Sequence, residues 1–217
     1  MSIYIIGSGG HSRPVIEVLN EKNIKIKKEI FDLKFKKNKK EKILGSLVVG
    51  SFESMFKKKK KNTFLAIGDN KIRGKIYNIL RKKKIKTPNL ISITSTISKY
   101  YKLGNANFIN KKAFIGTEVK IGNNNIINSG SLIEHEVVIG NNNHIAPKSI
   151  LGGRVKIGNN VLIGIGSKVL PGVKICSNTI IGAGSVVIKN INKPAIYAGV
   201  PAKLIKKKVK SLKINKK

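Results

Sequence analysis

The chain has 217 residues, a formal net charge of +34 and a single cysteine, Cys176. This length allows one large domain or two small ones, and one cysteine excludes an internal disulfide and a cysteine-rich zinc site. The charge suggests a nucleic-acid binder, but 40 of the 44 basic residues are Lys and only four are Arg, the better residue for phosphate and base contacts. We therefore interpret the charge as a compositional bias and expect neither a nucleic-acid partner nor a metal.

The amino terminus and the apolar segments predict a cytoplasmic protein. The apolar stretch at 2–7 is too short for a signal peptide and runs directly into a glycine-rich turn. No apolar run reaches the ~18 residues that a membrane-spanning helix requires. We therefore expect no membrane span.

The first half of the chain alternates strand patterns with helix patterns. The predicted elements are, in chain order, a strand at 2–7, a helix at 13–23, strands at 26–32 and 62–69, and a helix at 70–84. Pro14 falls in the first turn of the first helix, where its missing N–H costs least. Because this alternation is typical of a parallel sheet covered by helices, we predict a small Rossmann-like α/β domain over residues 1–88.

In the second half an aliphatic residue recurs at every sixth position without insertion. The sixteen positions are Ile97, Leu103, Ile109, Ile115, Ile121, Ile127, Ile133, Ile139, Ile145, Leu151, Ile157, Ile163, Val169, Ile175, Ile181 and Val187. A triangular coil has this period, with one aliphatic side chain per face pointing to the axis. Three such faces make one turn, and Gly and Asn suit its tight corners. The period predicts an all-β parallel β-helix over 89–205, followed by a basic tail at 206–217.

Four segments, read together with this repeat, resemble a known family. They are "YIIGSGGHSR" (4–13), "AIGDNKIRGKI" (66–76), "SLIEHEVVIG" (131–140) and "YAGVPAKLI" (197–205). The chain resembles the hexapeptide-repeat, left-handed β-helix acyltransferases, and within them the bacterial sugar acetyltransferases that carry an N-terminal nucleotide-sugar-binding domain. That group includes N-acetyltransferases of UDP-linked 4-amino sugars and sialic-acid O-acetyltransferases. The resemblance implies the left-handed coil and acetyl-CoA as co-substrate.

A Glu-His-Glu triplet stands out because acids are scarce in the repeat. Between 97 and 187 only three carboxylates occur, and two of them, Glu134 and Glu136, flank His135. His135 follows the inward Ile133 by two positions, at a corner where side chains face outward. A neutral imidazole suits a general base, and an adjacent carboxylate can orient it. The resemblance places the base on His135 with Glu136 raising its basicity; a surface histidine with two incidental acids is the alternative.

The period of the coil also places candidate partners of this histidine. Gly153 lies one turn beyond His135 on the same edge, where its amide can donate to an oxyanion; an ordinary corner glycine is the alternative. Ile165 and Ala183 stack on another edge, in the near-copies "IGIGS" and "IGAGS" that leave room for a pantetheine arm. The resemblance implies that these two residues and His144 contact acetyl-CoA. Since base and donor positions lie on different edges, a complete site needs two adjacent chains, which agrees with the homotrimers typical of the superfamily.

The segment "GSGGHS" (7–12) follows a predicted strand and opens a predicted helix. Glycine N–H groups in that context hold phosphate at the helix N-terminus. Ser12 occupies the position of the last glycine in the dinucleotide pattern, so we do not expect NAD. The resemblance implies that a nucleotide-sugar is contacted by Gly9, Gly10, His11, Asp32, Leu33 and Gly68.

These observations predict an enzyme that transfers an acetyl group from acetyl-CoA to the amine of a UDP-linked amino sugar, for bacterial surface glycan synthesis. A sialic-acid O-acetyltransferase on the same scaffold stays open, because an amine and a hydroxyl acceptor need the same base. A non-catalytic module that binds nucleic acid or anionic lipid through its basic surface is the alternative of a different class. An oriented base on an exposed edge argues against that module.

Overall fold

The computed structural model describes residues 2–21, 27–36 and 41–206, and the predicted basic tail beyond residue 206 lies outside them. The N-terminal elements are β1 (Ser2–Ile6), α1 (Ser12–Asn20), β2 (Lys27–Asp32), β3 (Lys42–Ile43), β4 (Ser46–Ser51), α2 (Phe52–Met55), β5 (Thr63–Leu65) and α3 (Asn70–Lys82). The sheet order is β3-β4-β2-β1-β5. All its pairings are parallel except that of β3 with β4. The predicted Rossmann-like sheet is confirmed.

Both faces of this sheet are covered by helices. Successive side chains of β1 point to opposite faces, and the side chains on each face are buried. Ile3 and Ile5 pack with Val15 and other apolar residues of α1 on one face. Tyr4 and Ile6 pack with α2 and α3 on the other. Both helices end two or three residues before the predicted limits, and the sequence pattern did not predict β3, β4 and α2.

The second half is the predicted parallel β-helix with three faces. Face one consists of Leu90–Ile91, Phe108–Ile109, Ile126–Ile127, His144–Ile145, Leu162–Ile163, Ile180–Ile181, Ile196–Ala198 and Lys203–Lys206. Face two consists of Thr96–Ile97, Phe114–Ile115, Leu132–Ile133, Ile150–Leu151, Lys168–Val169 and Val186–Val187. Face three consists of Tyr101–Leu103, Val119–Ile121, Val138–Ile139, Lys156–Ile157 and Lys174–Ile175.

The register of the coil follows the aliphatic column. Ile115 pairs with Ile133, and Ile133 pairs with Leu151, so each residue lies above its counterpart one turn earlier. From Ile109 to Val187 every predicted inward residue is at most 4 % exposed. The corners turn through residues with left-handed backbone, such as Asn124 at φ 57° and Gly166 at φ 68°. The tight corners explain the abundance of Asn and Gly.

The N-terminal domain lies on the first coils of face one. The outward side chains Leu90, Phe108 and Ile126 are buried in the same apolar cluster as α1. Lys111, at a corner of the β-helix, forms an ion pair with Glu17 of α1. Face one is therefore the face that brings the two halves together. No described helix is long and apolar enough to cross a membrane.

Candidate active site

His135 lies on the corner that joins face two to face three, hereafter the His135 edge (residues 134–137 and 152–155). Its side chain is 53 % exposed, and its Nδ1 lies 3.0 Å from Oε2 of Glu136. This hydrogen bond, and then one from Arg154, lower the pKa of the Glu136 carboxyl below its usual range. An ionised carboxylate only accepts, so Nδ1 is the donor, and in the neutral ring Nε2 then presents its lone pair. Such an arrangement would suit a general base.

Gly153 lies directly beside this imidazole, one coil further along. The N–H of Arg154 donates to the carbonyl of His135 at 3.0 Å, which fixes the stacking of the two corners. A Cβ at position 153 would lie 2.6 Å from Cε1 of His135, so any other residue there would displace the ring from this position. The N–H of Gly153 has no hydrogen-bond partner within the described part of the chain. The N–H of this buried glycine is therefore an unpaired donor close to His135.

A second cluster lies where the N-terminal domain meets face one. The rings of His11 and His144 have centroids 6.2 Å apart, and Nε2 of His144 is 3.1 Å from the side-chain amide of Asn128. Burial, the neighbouring His144 and Arg73 lower the pKa of His11 to about 3. Burial and Arg73 lower the pKa of His144 to about 3, against a hydrogen bond with the backbone of Gly68. Both rings are therefore neutral near pH 7.

His11 carries a buried polar atom that its surroundings leave unsatisfied. Its Nε2 has no hydrogen-bond partner among the described residues. It occupies the N-cap position of α1, yet its side chain makes no capping hydrogen bond. A buried polar atom without a partner is costly. A ligand that reached this cluster could satisfy it.

The glycine loop between β1 and α1 is held open beside this cluster. Gly9 and Gly10 have free space around their Cα atoms. The carboxylate of Asp32, at the end of β2, accepts from the N–H of Ser8 at 2.6 Å and of Lys34 at 2.7 Å. The hydroxyl of the fully buried Ser12 donates to the carbonyl of Gly9 at 2.6 Å. Asp32 therefore fixes the loop. Ser12 stands where the dinucleotide pattern has its last glycine, and its hydroxyl ties the start of α1 to Gly9.

Ile165 and Ala183 lie on the corner that joins face one to face two, hereafter the Ile165 edge (residues 164–167 and 182–185). Ile165 is 59 % exposed, and its carbonyl accepts from the N–H of Gly184 at 2.8 Å. The amide N–H groups of Ile165 and Ala183 have no partner within the described residues. Face two separates this edge from the His135 edge, so one chain does not bring His135 and Ile165 together. His144 lies close to the Ile165 edge, on the adjoining face.

Comparisons with known proteins assign the chain to a family. The PglD N-terminal domain matches residues 2–80, and the bacterial transferase hexapeptide (six repeats) matches residues 118–153 and 154–189. PerB from Caulobacter crescentus, solved in complex with CoA and GDP-perosamine, is 32 % identical over 94 % of this chain and 97 % of its own, with a TM-score of 0.87. The chain belongs to the hexapeptide-repeat sugar acetyltransferases.

Two further structures resemble this acetyltransferase. A histidine-to-alanine variant of GDP-perosamine N-acetyl transferase from C. crescentus, with CoA and GDP-perosamine, is 31 % identical over 94 % of this chain and 97 % of its own, with a TM-score of 0.87. The acetyltransferase domain of PglB from Neisseria gonorrhoeae, in complex with acetyl coenzyme A, is 25 % identical over 94 % of this chain and 98 % of its own, with a TM-score of 0.86. No curated protein sequence matches the chain.

As an acyltransferase of this family the chain has the left-handed β-helix that the resemblance implied. Its described residues contain no group of three or more His, Cys, Asp or Glu side chains that could hold a metal ion. The structure places His135, Glu136 and Gly153 together on one edge, and it places His11, Gly68 and His144 together where the domains meet.

Sequence reasoning missed Arg73, which joins the two halves of the acetyltransferase. The side chain is 1 % exposed. Its guanidinium donates to the carbonyls of Gly68 at 3.1 Å, Asn143 at 2.9 Å and Asn124 at 3.2 Å. Burial lowers the pKa of Arg73 to about 9, against the opposing charge of Asp69, so the group stays cationic at neutral pH. The sequence did carry one signal that could have identified Arg73: arginine is rare in this chain, which has four Arg and 40 Lys.

Proposed function

We propose that the chain transfers the acetyl group of acetyl-CoA to the amino group of a nucleotide-linked sugar, with His135 as general base. The observation that carries this proposal is the His135–Glu136 pair, whose free Nε2 lies on an exposed edge next to the unpaired N–H of Gly153. The ligands of the relatives, CoA with GDP-perosamine and acetyl coenzyme A, support the choice of both substrates.

In the proposed reaction the sugar amine attacks the thioester carbonyl carbon and forms a C–N bond. His135 Nε2 takes the proton that the nitrogen loses, and Glu136 stabilises the resulting imidazolium. The N–H of Gly153 donates to the oxyanion of the tetrahedral intermediate. The C–S bond then breaks, and the proton passes from His135 to the departing CoA thiolate. The products are an acetamido sugar and CoA.

The acceptor sugar is proposed to bind to the N-terminal domain, residues 1–88, which faces the β-helix, residues 89–205. The N–H groups of Gly9 and Gly10, which have no partner among the described residues and open space beside them, suit a diphosphate at the start of α1. Asp32 and Leu33 lie at the end of β2 beside this loop, with Leu33 40 % exposed as a surface for the base. His11 lies with its Cβ close to Gly68, and its buried, unsatisfied Nε2 can interact with the sugar. A UDP-linked sugar is the predicted substrate, and GDP is the nucleotide of the 32 % identical relative.

Acetyl-CoA is proposed to lie along the Ile165 edge. The unpaired amides of Ile165 and Ala183 can hydrogen-bond to an extended pantetheine arm. His144 pairs with Leu162 on face one, in the strand that leads into this edge. Because the Ile165 edge and the His135 edge are separated by face two, each site combines two chains. Phe114 on that face is 37 % exposed, an apolar surface between the edges. A homotrimer is the simplest closed ring that completes every site.

A panel assay tests this function. CoA release would be measured with UDP- and GDP-linked 4-amino sugars and with free and CMP-linked sialic acid, using the wild type, His135→Ala and His135→Gln. The proposal expects release with an amino sugar, and a fall in kcat of about 10²–10⁴-fold in both variants. Release with sialic acid alone would make the chain an O-acetyltransferase. Near-normal turnover without His135 would remove the proposed base.

A further inference from the structure

Arg154 shares the carboxylate of Glu136 with the proposed base. Its Nε lies 3.0 Å from Oε2 of Glu136, the same oxygen that lies 3.0 Å from Nδ1 of His135. Arg154 occupies the corner one coil beyond Glu136, and both have left-handed backbone, at φ 62° and 59°. The stacked corners therefore point the side chains of Arg154 and Glu136 in the same direction. Oε2 of Glu136 accepts hydrogen bonds from both Arg154 and His135.

The composition of the chain also sets Arg154 apart. Lysine fills 40 of the 44 basic positions, and Arg73, one of the four arginines, makes five side-chain hydrogen bonds in the core between the domains. Arg154 is 70 % exposed, at a position where lysine satisfies solvation equally well. A guanidinium differs from an ammonium in having a planar set of donors with fixed directions. An arginine at this corner suggests a need for direction as well as charge.

Stability does not explain the ion pair. Arg154 is 70 % exposed and Glu136 41 % exposed, and exposed pairs contribute little to folding. The ion pair matters more for the conformation of Glu136. A half-exposed glutamate has several rotamers, and some of them point the carboxylate away from His135. Arg154 donates to that same oxygen, Oε2, and so selects the rotamer in which Oε2 also faces His135. That rotamer keeps the proton on Nδ1 and leaves Nε2 free.

We propose that Arg154 is a positioning residue: it fixes the Glu136 carboxylate, and through it the Nδ1–H tautomer and ring orientation of His135. This inference rests on the proposed function for its effect on catalysis, but the tautomer is a property of the free protein. The guanidinium does not touch the reacting atoms.

The spectroscopic test uses the small number of histidines. The chain has three, so ¹⁵N spectra of the imidazoles contain three spin systems, and His135→Ala identifies which one belongs to residue 135. In the wild type we expect one tautomer, with the proton on Nδ1. In Arg154→Gln we expect a mixture of tautomers, and in Arg154→Lys a smaller change. The matched control is Lys156→Gln, which removes an exposed cation from face three and should leave the spectrum unchanged. An unaltered tautomer in Arg154→Gln would overturn the proposal.

The kinetic test is a double-mutant cycle between Arg154→Gln and Glu136→Gln. Arg154→Gln alone should lower kcat about two- to fivefold, the size of an exposed ion pair, with the KM for both substrates unchanged. In the Glu136→Gln background the same change should have no further effect, because it acts through that carboxylate. Equal effects in both backgrounds, or a raised KM for the nucleotide-sugar at constant kcat, would show that Arg154 acts elsewhere. If the wild type acetylates no sugar, the proposed function fails while the tautomer spectra still decide this inference.

Discussion

The Gly153→Ala variant adds one methyl group directly against the imidazole of His135. The new Cβ would lie 2.6 Å from Cε1 and 3.1 Å from Cδ2 of the ring, and closer still to Nε2. Ordinary contacts between such atoms are about 3.5–4.0 Å, so the ring must withdraw by about 1 Å. A misplacement of this size costs on the order of 10²-fold in rate, which is the fall in kcat we expect.

The fold should tolerate this change. Gly153 does not have the left-handed backbone that disfavours alanine. The ring is 53 % exposed and can move towards solvent, so the cost should stay below the ~1–3 kcal/mol of an overpacked core. The assay compares kcat with the midpoint of thermal unfolding, Tm. The same substitution in the His135→Ala background is the control and should leave the residual rate unchanged. A Gly153→Ala enzyme with wild-type kcat would refute the assignment of His135 as base.

Three further predictions concern the fold and its charges. Arg73→Met should leave several buried carbonyls unsatisfied and lower Tm markedly, whereas an unchanged Tm would contradict its role between the domains. His11 and His144 have pKa values lowered to about 3, so they stabilise the fold above pH 6.5 and lose this contribution as the pH falls towards 3. Each should cost up to ~2 kcal/mol between pH 6.5 and 5; a Tm that stays constant over that interval would contradict this. Ile157→Asp buries an unpaired charge in the aliphatic column and should abolish soluble, folded protein.

The β-helix could be predicted almost completely from the sequence because each coil repeats the same pattern of residues. An inward aliphatic residue and a corner that tolerates left-handed backbone recur every six residues, so period and register follow from the chain itself. The stacking of Gly153 on His135 follows from the same arithmetic. These parts of the site needed no knowledge of distant contacts.

The rest depends on contacts between residues far apart in sequence. Arg73 reaches carbonyls 51 and 70 residues away, and no local pattern marks such partners. Strand β4 was missed because its hydrophobic pattern contradicts its burial: Ser46 and Gly50 are buried, while Leu47 and Val49 are exposed. The pairing of His11 with His144 likewise depends on how α1 docks on face one.

The measurement that tests the shared active site most directly is complementation between two inactive chains. His135→Ala lacks the base, and Ala183→Trp blocks the Ile165 edge with a bulky side chain. Co-expressed in equal amounts with different tags, they should form mixed trimers in which about a quarter of the sites combine an intact His135 with an intact Ala183. We expect activity near a quarter of wild type in purified mixtures and none in either parent. Mixed trimers that stay as inactive as their parents, or an active monomer by light scattering, would contradict it.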